Sequence, residues 1–345
     1  MAQHATLADV ALLAGVSLAT ASRALAEGHG RTVGVDLRAR VHAAALELNY
    51  SPNANAQAMR GRRFTIGMVV HDIADPVAAT IASGVLAAAR EKGIPVSIAT
   101  TGTDADAEVR HVEMLRQLRV SAIILAGSRF VESSAQRWLE EEVAAMRGGG
   151  GSVVVIGQPQ LHTDTIAVDN FGGAAHLARV LWSQGYRRFA VLAGPEELLT
   201  SQDRLAGFRQ GLADNGRALP EENVLSSEMT RKGGYTAMTE LLERDIDVDC
   251  VFAVTDMMAV GAMAALRDQR LSVPTDMAIA GFGDIPVLRD IQPSLTTVRL
   301  PLEQMGRRAL ALAISTSGSV DVTEPVVESV EGEVVVRAST PGLAG

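Results

Sequence analysis

Side chains with three kinds of binding chemistry are crowded into residues 17–23. They are the hydroxyl, apolar and guanidinium groups of Ser17, Leu18, Ala19, Thr20, Ser22 and Arg23. A guanidinium can form a bidentate contact with guanine, hydroxyl groups can donate to phosphates, and small apolar groups can contact a thymine methyl. This set of residues favours contact with the major groove of DNA. The alternative is a plain three-helix bundle with an exposed arginine and exposed serines.

Two short predicted helices position these side chains. The first has an apolar face at helical spacing, formed by Leu7, Val10, Ala11 and Ala14. Thr6 and Asp9 form a capping-box-like start for it, and Gly15 ends it. Ser17 is a good N-cap for the second helix, which we expect to end near Leu25. Two helices joined by a short glycine-containing turn are typical of a helix-turn-helix, whose second helix enters the major groove.

Residues 51–63 predict a separate hinge helix. Pro52 breaks the preceding helix, and Asn53 can cap a new one. Met59 is a large apolar residue beside three arginines, a combination that suits a wedge between base steps in the minor groove. A Met59 that packs against the rest of the chain is the alternative. Because so short a helix is not stable alone, its formation on DNA would couple the residues before it to those after it. Thr6 and Asn53 complete the predicted DNA-binding set.

The charge is divided unevenly along the chain. Residues 1–63 contain seven arginines and four acidic residues, a net charge of +3. The whole chain has a net charge of −9, so the remainder carries −12. A small basic segment on an acidic protein indicates that only this segment meets a polyanion. A chance fluctuation is the alternative, because a charge of +3 is modest.

From Phe64 onward, apolar strand patterns alternate with amphipathic helices. The strand patterns lie at 64–70, 94–99, 120–126, 152–157, 188–193, 250–254 and 277–282. Nearly continuous apolar strands that alternate with helices predict parallel sheets covered on both faces. This part of the chain has about 280 residues, more than one comfortable core. We therefore expect two α/β subdomains, with ligands at the carboxyl ends of their strands.

Composition and motifs disfavour several classes of protein. No stretch approaches the roughly 18 apolar residues of a membrane span, and no basic region precedes the first apolar run. We expect neither a membrane segment nor a secretory signal and place the chain in the cytoplasm. The single cysteine, Cys250, cannot form an internal disulfide. The histidines lack metal-like spacing, and no P-loop, dinucleotide fingerprint or Ser-His-acid set is present. We expect no metal, no cofactor and no enzyme activity.

Longer stretches of the sequence resemble the LacI/GalR repressor family along essentially the whole chain. In order, they are TLADVALLAGVSLATASRAL (6–25), ELNYSPNANAQAMRGRR (47–63), VDNFGGA (168–174), FAVLAGPE and DRLAGF (189–208), TDMMAVGAMAAL (255–266), VPTDMAIAGFGDI (273–285) and PSLTTVRLPLEQMG (293–306). The resemblance implies a homodimer that binds a pseudo-palindromic operator in double-stranded DNA. It places Met59 at the position of the apolar lever residue. It also implies that a small effector between two subdomains changes the affinity for DNA.

The resemblance implies that the chain consists of three segments. They are an all-α helix-turn-helix head (1–50), a hinge helix (51–63) and an α/β periplasmic-binding-protein-like body (64–345). The body should contain two doubly wound parallel-sheet subdomains. We expect the first at about 64–168 with 300–320, and the second at about 169–299 with 321–339.

The resemblance also implies two residues of an effector pocket. Arg204 matches the pocket arginine that pairs with polar groups of the ligand, and Asp256 matches the acid that accepts hydrogen bonds from ligand hydroxyls. A surface or interdomain salt bridge is the alternative for both. Their predicted positions after strand ends favour the pocket.

Other pocket positions depart from the family pattern. Thr255 stands where Asn is usual, and Asp75 begins a segment that is usually Asn-Pro-Phe. Gly283 replaces the usual first Asp of its motif, and Gln158 remains as the polar residue of another. The predicted effector-binding residues are Asp75, Gln158, Arg204, Thr255, Asp256 and Gly283. The predicted effector is a sugar or a sugar derivative.

Together these features predict a sequence-specific DNA-binding transcriptional regulator, a repressor, controlled by a small effector. One alternative is a sugar-binding solute protein without a role at DNA, which leaves the first 60 or so residues unexplained. The other is an enzyme on an α/β scaffold, since a fold does not determine function.

Overall fold

The computed structural model describes residues 5–25, 33–48, 50, 64–102, 104–131, 134–318 and 324–343. The chain divides into two units, Met1–Arg63 and Phe64–Gly345. We call the first unit the head and the second the body. The predicted hinge helix, with Asn53 and Met59, lies outside the described residues.

Three helices form the described part of the head: α1 (Leu7–Leu13), α2 (Leu18–Leu25) and α3 (Val35–Glu47). The predicted capping box begins α1, because Asp9 N donates to Thr6 Oγ1 over 3.3 Å and Thr6 N donates to Asp9 Oδ2 over 2.7 Å. Ser17 Oγ accepts from Thr20 N over 3.1 Å and so caps α2. The helices share a core of small side chains: Val10, Ala11, Ala14, Ala21, Ala24, Val41, Ala44 and Ala45. The predicted first two helices are confirmed.

The turn between α1 and α2 sets the angle between them. Gly15 has a φ of +61°, a conformation that glycine adopts without steric cost. The two helices are bent by 102°, within the range of about 90–120° typical of helix-turn-helix pairs. Arg40 of α3 donates from Nη2 to Ala14 O over 2.6 Å and so holds the end of α1. Within the described ranges no single helix is long and apolar enough to span a membrane, and α1 with α2 passes that test only as a bent pair.

The body begins with five strands and the helices between them. They are β1 (Ile66–Val70), α4 (Pro76–Glu91), β2 (Val96–Thr100), α5 (Ala105–Gln117), β3 (Ala122–Ala126), α6 (Ser134–Gly148), β4 (Ser152–Gly157) and β5 (Asp164–Val168). The strands pair in parallel. Every residue of β1, β3 and β4 is buried, as expected of central strands with helices on both faces.

A second run of alternating elements follows. It contains α7 (Asn170–Ser183), β6 (Phe189–Ala193), α8 (Leu199–Ala213), β7 (Val224–Ser226), α9 (Arg231–Glu243), β8 (Cys250–Ala253), α10 (Asp256–Asp268), β9 (Ala278–Gly283) and β10 (Thr296–Arg299). Short 3-10 helices lie at Glu221–Asn223 and Pro286–Arg289. These strands are also parallel. The predicted class, two doubly wound α/β subdomains, is confirmed.

The chain crosses between the subdomains three times. After β5 it enters α7, and after β10 it returns to α11 (Leu302–Thr316), which packs on α4 and β4 of the first subdomain. It then forms β11 (Val327–Val330), parallel to β5, and β12 (Glu333–Val335), antiparallel to β10. The strand orders are β11-β5-β4-β3-β1-β2 and β12-β10-β9-β8-β6-β7.

One predicted subdomain boundary is wrong. We expected residues 321–339 in the second subdomain, but β11 (Val327–Val330) completes the first sheet. The return to the second sheet comes only between Val330 and Glu333. A strand of four residues with alternating exposure carries no local sign of which sheet it will join, because pairing depends on a partner distant in sequence.

Helices α4 and α11 approach closely through two glycines. A Cβ on Gly84 would lie 2.1 Å from Glu303 O, and a Cβ on Gly306 would lie 2.1 Å from Ile81 O.

We expect Gly306→Ala to lower the free energy of unfolding by about 1–3 kcal/mol, because the two backbones must separate. Urea denaturation measures the change. Gly148→Ala is the control, since no atom lies within 4 Å of its Cβ position; equal stability of Gly306→Ala and wild type would contradict the close packing.

Candidate functional sites

The exposed side of α2 carries the predicted base-reading residues. Leu18 is 51% exposed, and Ala19 and Arg23 are also exposed. Arg23 Nε donates to Ala19 O over 3.1 Å, which holds the guanidinium along the helix surface. Residues four apart share one face of a helix. The structure therefore places an apolar group and a guanidinium side by side at the surface, and both kinds of group can contact base edges.

Of the predicted DNA-binding hydroxyls, those of Thr6, Ser17 and Thr20 lie at helix starts. Ser17 Oγ and Thr20 Oγ1 are 2.8 Å apart at the beginning of α2, and Ser22 is half-buried further along it. Thr6 Oγ1 donates to Asp9 Oδ2 over 2.7 Å. Hydrogen bonds from Thr6 lower the pKa of Asp9. The hydroxyls of Thr6 and Ser17 thus already stabilise the starts of α1 and α2, and the start of α2 adds backbone N–H groups that suit a phosphate.

The six predicted effector-binding residues lie at strand ends or in helices of both subdomains. Asp75 caps α4, Gln158 follows β4, Arg204 lies in α8, Thr255 caps α10, Asp256 begins α10, and Gly283 ends β9. A Cβ on Gly283 would lie 3.5 Å from Val77 Cγ2, so the carboxyl end of β9 in the second subdomain and the amino end of α4 in the first face each other closely. We call the space between these ends the cleft. The carboxyl ends of parallel strands are the usual location of ligands in such folds.

Arg204 is a buried cation among the residues predicted to line the cleft. It is 8% exposed, with Nε donating to Asn170 Oδ1 over 2.9 Å and Nη1 donating to Val254 O over 2.6 Å. Its guanidinium carbon lies 3.9 Å from the centre of the Phe282 ring. Burial lowers the pKa of Arg204 to about 10, against the opposing effect of nearby acids. The side chain remains charged at neutral pH and is held in one orientation.

Asp256 is the most buried acid of this group, with 1% exposure. Its Oδ1 accepts from Thr297 Oγ1 over 2.6 Å, and its Oδ2 accepts from Ile285 N over 3.0 Å. Burial nevertheless raises the pKa of Asp256 to about 6, and the charge of Asp284 acts in the same direction. Asp284 itself is paired with Arg299 and Arg337, so its charge persists.

Two further acids lie within electrostatic reach of Arg204. They are Asp75, from the first subdomain, and Asp203, which directly precedes Arg204. Burial raises the pKa of both carboxyl groups. The cleft thus combines one buried guanidinium with three carboxyl groups, a set rich in hydrogen-bond acceptors. Such a set suits a ligand with several hydroxyl or amine donors.

Sequence reasoning missed several residues of the cleft. Asn170 accepts a hydrogen bond from Arg204, and Thr297 donates one to Asp256. Asp203 is the third carboxyl group near Arg204. All three stand inside motifs that marked the family resemblance, so membership of the motif was an available signal. Thr255 is an N-cap whose Oγ1 accepts from Met258 N over 3.3 Å. Among the described residues, no group of three or more His, Cys, Asp or Glu is arranged to hold a metal ion.

The raised pKa of Asp256 should make stability depend on pH. Between its ordinary value of 3.8 and about 6, the folded chain keeps a proton that the unfolded chain has lost. The contribution of Asp256 to the free energy of unfolding should therefore fall as the pH rises through this window. The difference corresponds to about 3 kcal/mol at most. Stability contributed by protonation is fully present below pH 3.8 and lost above about pH 6.

Asp256→Asn tests this dependence. Its amide oxygen can still accept from Ile285 N, and the Thr297 hydroxyl can turn to accept from the new amide. We expect the stability of wild type relative to the variant to fall between pH 4 and 6, measured by urea unfolding of both chains in that range. Identical pH profiles for the two chains would show that Asp256 titrates normally.

Each of the two units contains a match to a known protein family. Residues 6–53 match the family described as bacterial regulatory proteins, lacI family, and residues 178–340 match a periplasmic binding protein-like domain. The HTH-type transcriptional regulator GalR of Escherichia coli is 32% identical over 98% of this chain and 97% of its own length. GalS of Salmonella typhimurium is 33% identical over 92% of each chain, and CelR of Thermobifida fusca is 33% identical over 97% of this chain and 98% of its own.

Solved structures show the same fold. The lac repressor dimer bound to operator and the anti-inducer ONPF aligns with a TM-score of 0.79 at 24% identity, over 98% of this chain and 100% of that one. A complex of the transcriptional regulator CelR with cellobiose aligns with a TM-score of 0.70 at 32% identity, over 97% of this chain and 99% of that one.

Proposed function

Because the chain belongs to the lacI family of bacterial regulatory proteins, we propose that it is a transcriptional repressor whose affinity for operator DNA is set by a small effector. The observation that carries the proposal is the pairing of two sites in one chain. A helix-turn-helix exposes Leu18 and Arg23, and a cleft holds Arg204 and Asp256. A regulator of this kind acts in the cytoplasm, where the DNA is, and needs no catalytic group.

The head reads the operator. Arg23 contacts guanine, Leu18 and Ala19 contact apolar base edges, and the hydroxyls at the helix starts bind phosphates. Two chains form a homodimer, so the operator is a pseudo-palindrome whose half-sites are related by a two-fold axis. Asn53 and Met59 complete the contact, with Met59 entering the minor groove. The lac repressor, a chain of the same fold, was solved as a dimer bound to operator, which supports a dimer on operator DNA here.

The cleft binds the effector. Arg204, Asp256, Asp75 and Asp203 provide charged groups that can hold the hydroxyls of a sugar or a sugar derivative. The related CelR was solved with cellobiose, which supports a carbohydrate ligand. The effector can change operator affinity only by binding the open and closed arrangements of the body with different affinities.

Selection of bound sequences from random duplex DNA, repeated with a panel of sugars, tests both parts. We expect a pseudo-palindrome whose recovery changes with one sugar. Enrichment of a palindrome whose recovery no sugar changes would support the repressor role and contradict the proposal of a sugar effector. Failure to enrich any sequence, together with tight binding of a sugar, would reject the DNA role. It would favour the alternative to which the periplasmic-binding-like match points, a solute-binding protein.

A further inference from the structure

Gln158 lies at the junction of the two subdomains, and both ends of its amide are engaged. Its Oε1 accepts from Arg129 N over 3.0 Å. Its Nε2 donates to Thr200 Oγ1 over 2.8 Å and to Asp203 Oδ2 over 3.3 Å. Arg129 follows β3 of the first subdomain, whereas Thr200 and Asp203 lie in α8 of the second. The buried Gln158 amide therefore links one subdomain to the other.

Backbone groups join the same two segments. Three hydrogen bonds connect them: Val131 N to Glu197 O (2.8 Å), Leu199 N to Arg129 O (2.9 Å) and Thr200 N to Ser128 Oγ (3.1 Å). Phe130 and Leu198 form an antiparallel bridge between them. We call residues 128–131 and 197–200, together with Gln158, the clasp. The clasp is a non-covalent connection between the subdomains, in addition to the three crossings of the chain.

The half of the clasp in the first subdomain is firmly anchored. Arg129 is 1% exposed, and its guanidinium donates to both carboxylate oxygens of Glu108 in α5, over 2.9 and 2.7 Å. Losing either partner would leave a buried charge unpaired, which is costly. A Cβ on Gly157 would lie 2.4 Å from Gly127 O, so the glycines let the loops after β3 and β4 approach. This approach brings Gln158 next to Arg129 N.

We propose that Gln158 is a positioning residue that holds the cleft closed through the clasp, and that it does not grip the effector. Separation of the subdomains along this edge must break the Gln158 contacts and the three hydrogen bonds of the clasp. An effector that prefers the closed arrangement binds more weakly when less of the protein is closed. Gln158 therefore tunes effector affinity without touching the effector. This inference rests on the cleft being the proposed effector site.

Hydrogen exchange of the full-length, effector-free protein tests the clasp. In Gln158→Ala, we expect the backbone N–H groups of Val131, Leu199 and Thr200 to exchange about tenfold faster than in wild type. Amides in the central strands β3 and β8 should exchange at the wild-type rate. Gln160→Ala is the matched control, because Gln160 is an exposed glutamine two residues away. It should leave the clasp amides unchanged.

Gln158→Glu provides a second readout that a purely structural role would not produce. The new carboxylate would face Asp203, whose Oδ2 is 3.3 Å from the present amide nitrogen. Like charges repel, so exchange of the clasp amides should accelerate as the pH rises and both groups ionise, beyond the change seen in wild type. Small-angle scattering should show a larger radius of gyration for this variant at high pH.

Three results would overturn the proposal. They are unchanged clasp exchange in Gln158→Ala, an equal acceleration in β3 and β8, and a pH profile of Gln158→Glu that matches wild type. None of these measurements involves DNA or an effector. A failure here is therefore distinguishable from a failure of the operator selection, which tests the proposed function.

Discussion

An Arg23→Ala chain should still bind DNA but should no longer prefer its operator. Arg23 is the guanidinium on the exposed side of α2, held beside Ala19 by the bond from its Nε. A bidentate contact to guanine contributes about 1–3 kcal/mol of discrimination for each half-site. Its loss from both chains of a dimer should leave weak, salt-sensitive binding, because contacts to phosphate remain. Titration of the selected operator and of random duplex DNA at two salt concentrations measures both quantities.

Arg38→Ala is a matched control for the charge. Arg38 is an exposed arginine in α3, so its removal changes the charge of the head equally but leaves α2 intact. We expect this control to weaken binding to all sequences by the same factor, if it weakens binding at all. If Arg23→Ala also lost affinity equally for operator and random DNA, Arg23 would be a phosphate contact and not a reader of bases.

An Arg204→Ala chain should lose its response to the effector while it still binds its operator with wild-type affinity. The substitution removes this buried cation and takes away the hydrogen bonds that Arg204 donates to Asn170 Oδ1 and Val254 O. Each buried acceptor that loses its partner costs about 1–3 kcal/mol. We expect a matching decrease in the free energy of unfolding. The measurement is operator affinity with and without the sugar identified in the selection, at a temperature where circular dichroism shows the variant folded.

Arg209→Ala controls for the loss of an arginine from the same helix. Arg209 also lies in α8, but its partner is the exposed Glu221, at 2.6 Å, and an exposed ion pair contributes little to stability. We expect this variant to respond to the sugar as wild type does. A normal sugar response in Arg204→Ala would place the effector outside the cleft centred on Arg204.

Local patterns were sufficient for most of the fold. The apolar runs at 64–70 and 120–126 contain β1 and β3, and the spacing from Leu7 to Ala14 matches the face of α1. Such signals are reliable because a buried strand or an amphipathic helix imposes its own repeat on the sequence. Short or weakly apolar strands escaped prediction, because they contain too few apolar residues to show such a repeat. β7 has three residues and β10 has four.

The site residues divide in the same way into those that the sequence indicates and those whose role only the tertiary structure shows. The family resemblance singled out Arg204 and Asp256, and their predicted positions after strand ends favoured a pocket, because motif and strand-end position are both properties of the sequence. The role of Gln158 is different. As a polar residue at a strand end it suits a ligand contact, yet its amide spans two segments that are 29 and 42 residues away. No local pattern encodes a contact over such separations.

The amino-acid sequence alone determined that this protein has a helical DNA-reading head and an acidic α/β body, because helix caps, apolar periodicity and residue types act over a few neighbouring positions. Tertiary structure decided the rest. It placed β11 in the first sheet, closed the clasp between distant loops, and surrounded Asp256 with buried groups that raise its pKa to about 6. Sheet membership, interdomain contact and desolvation depend on which distant segments meet, and that is settled only when the chain packs.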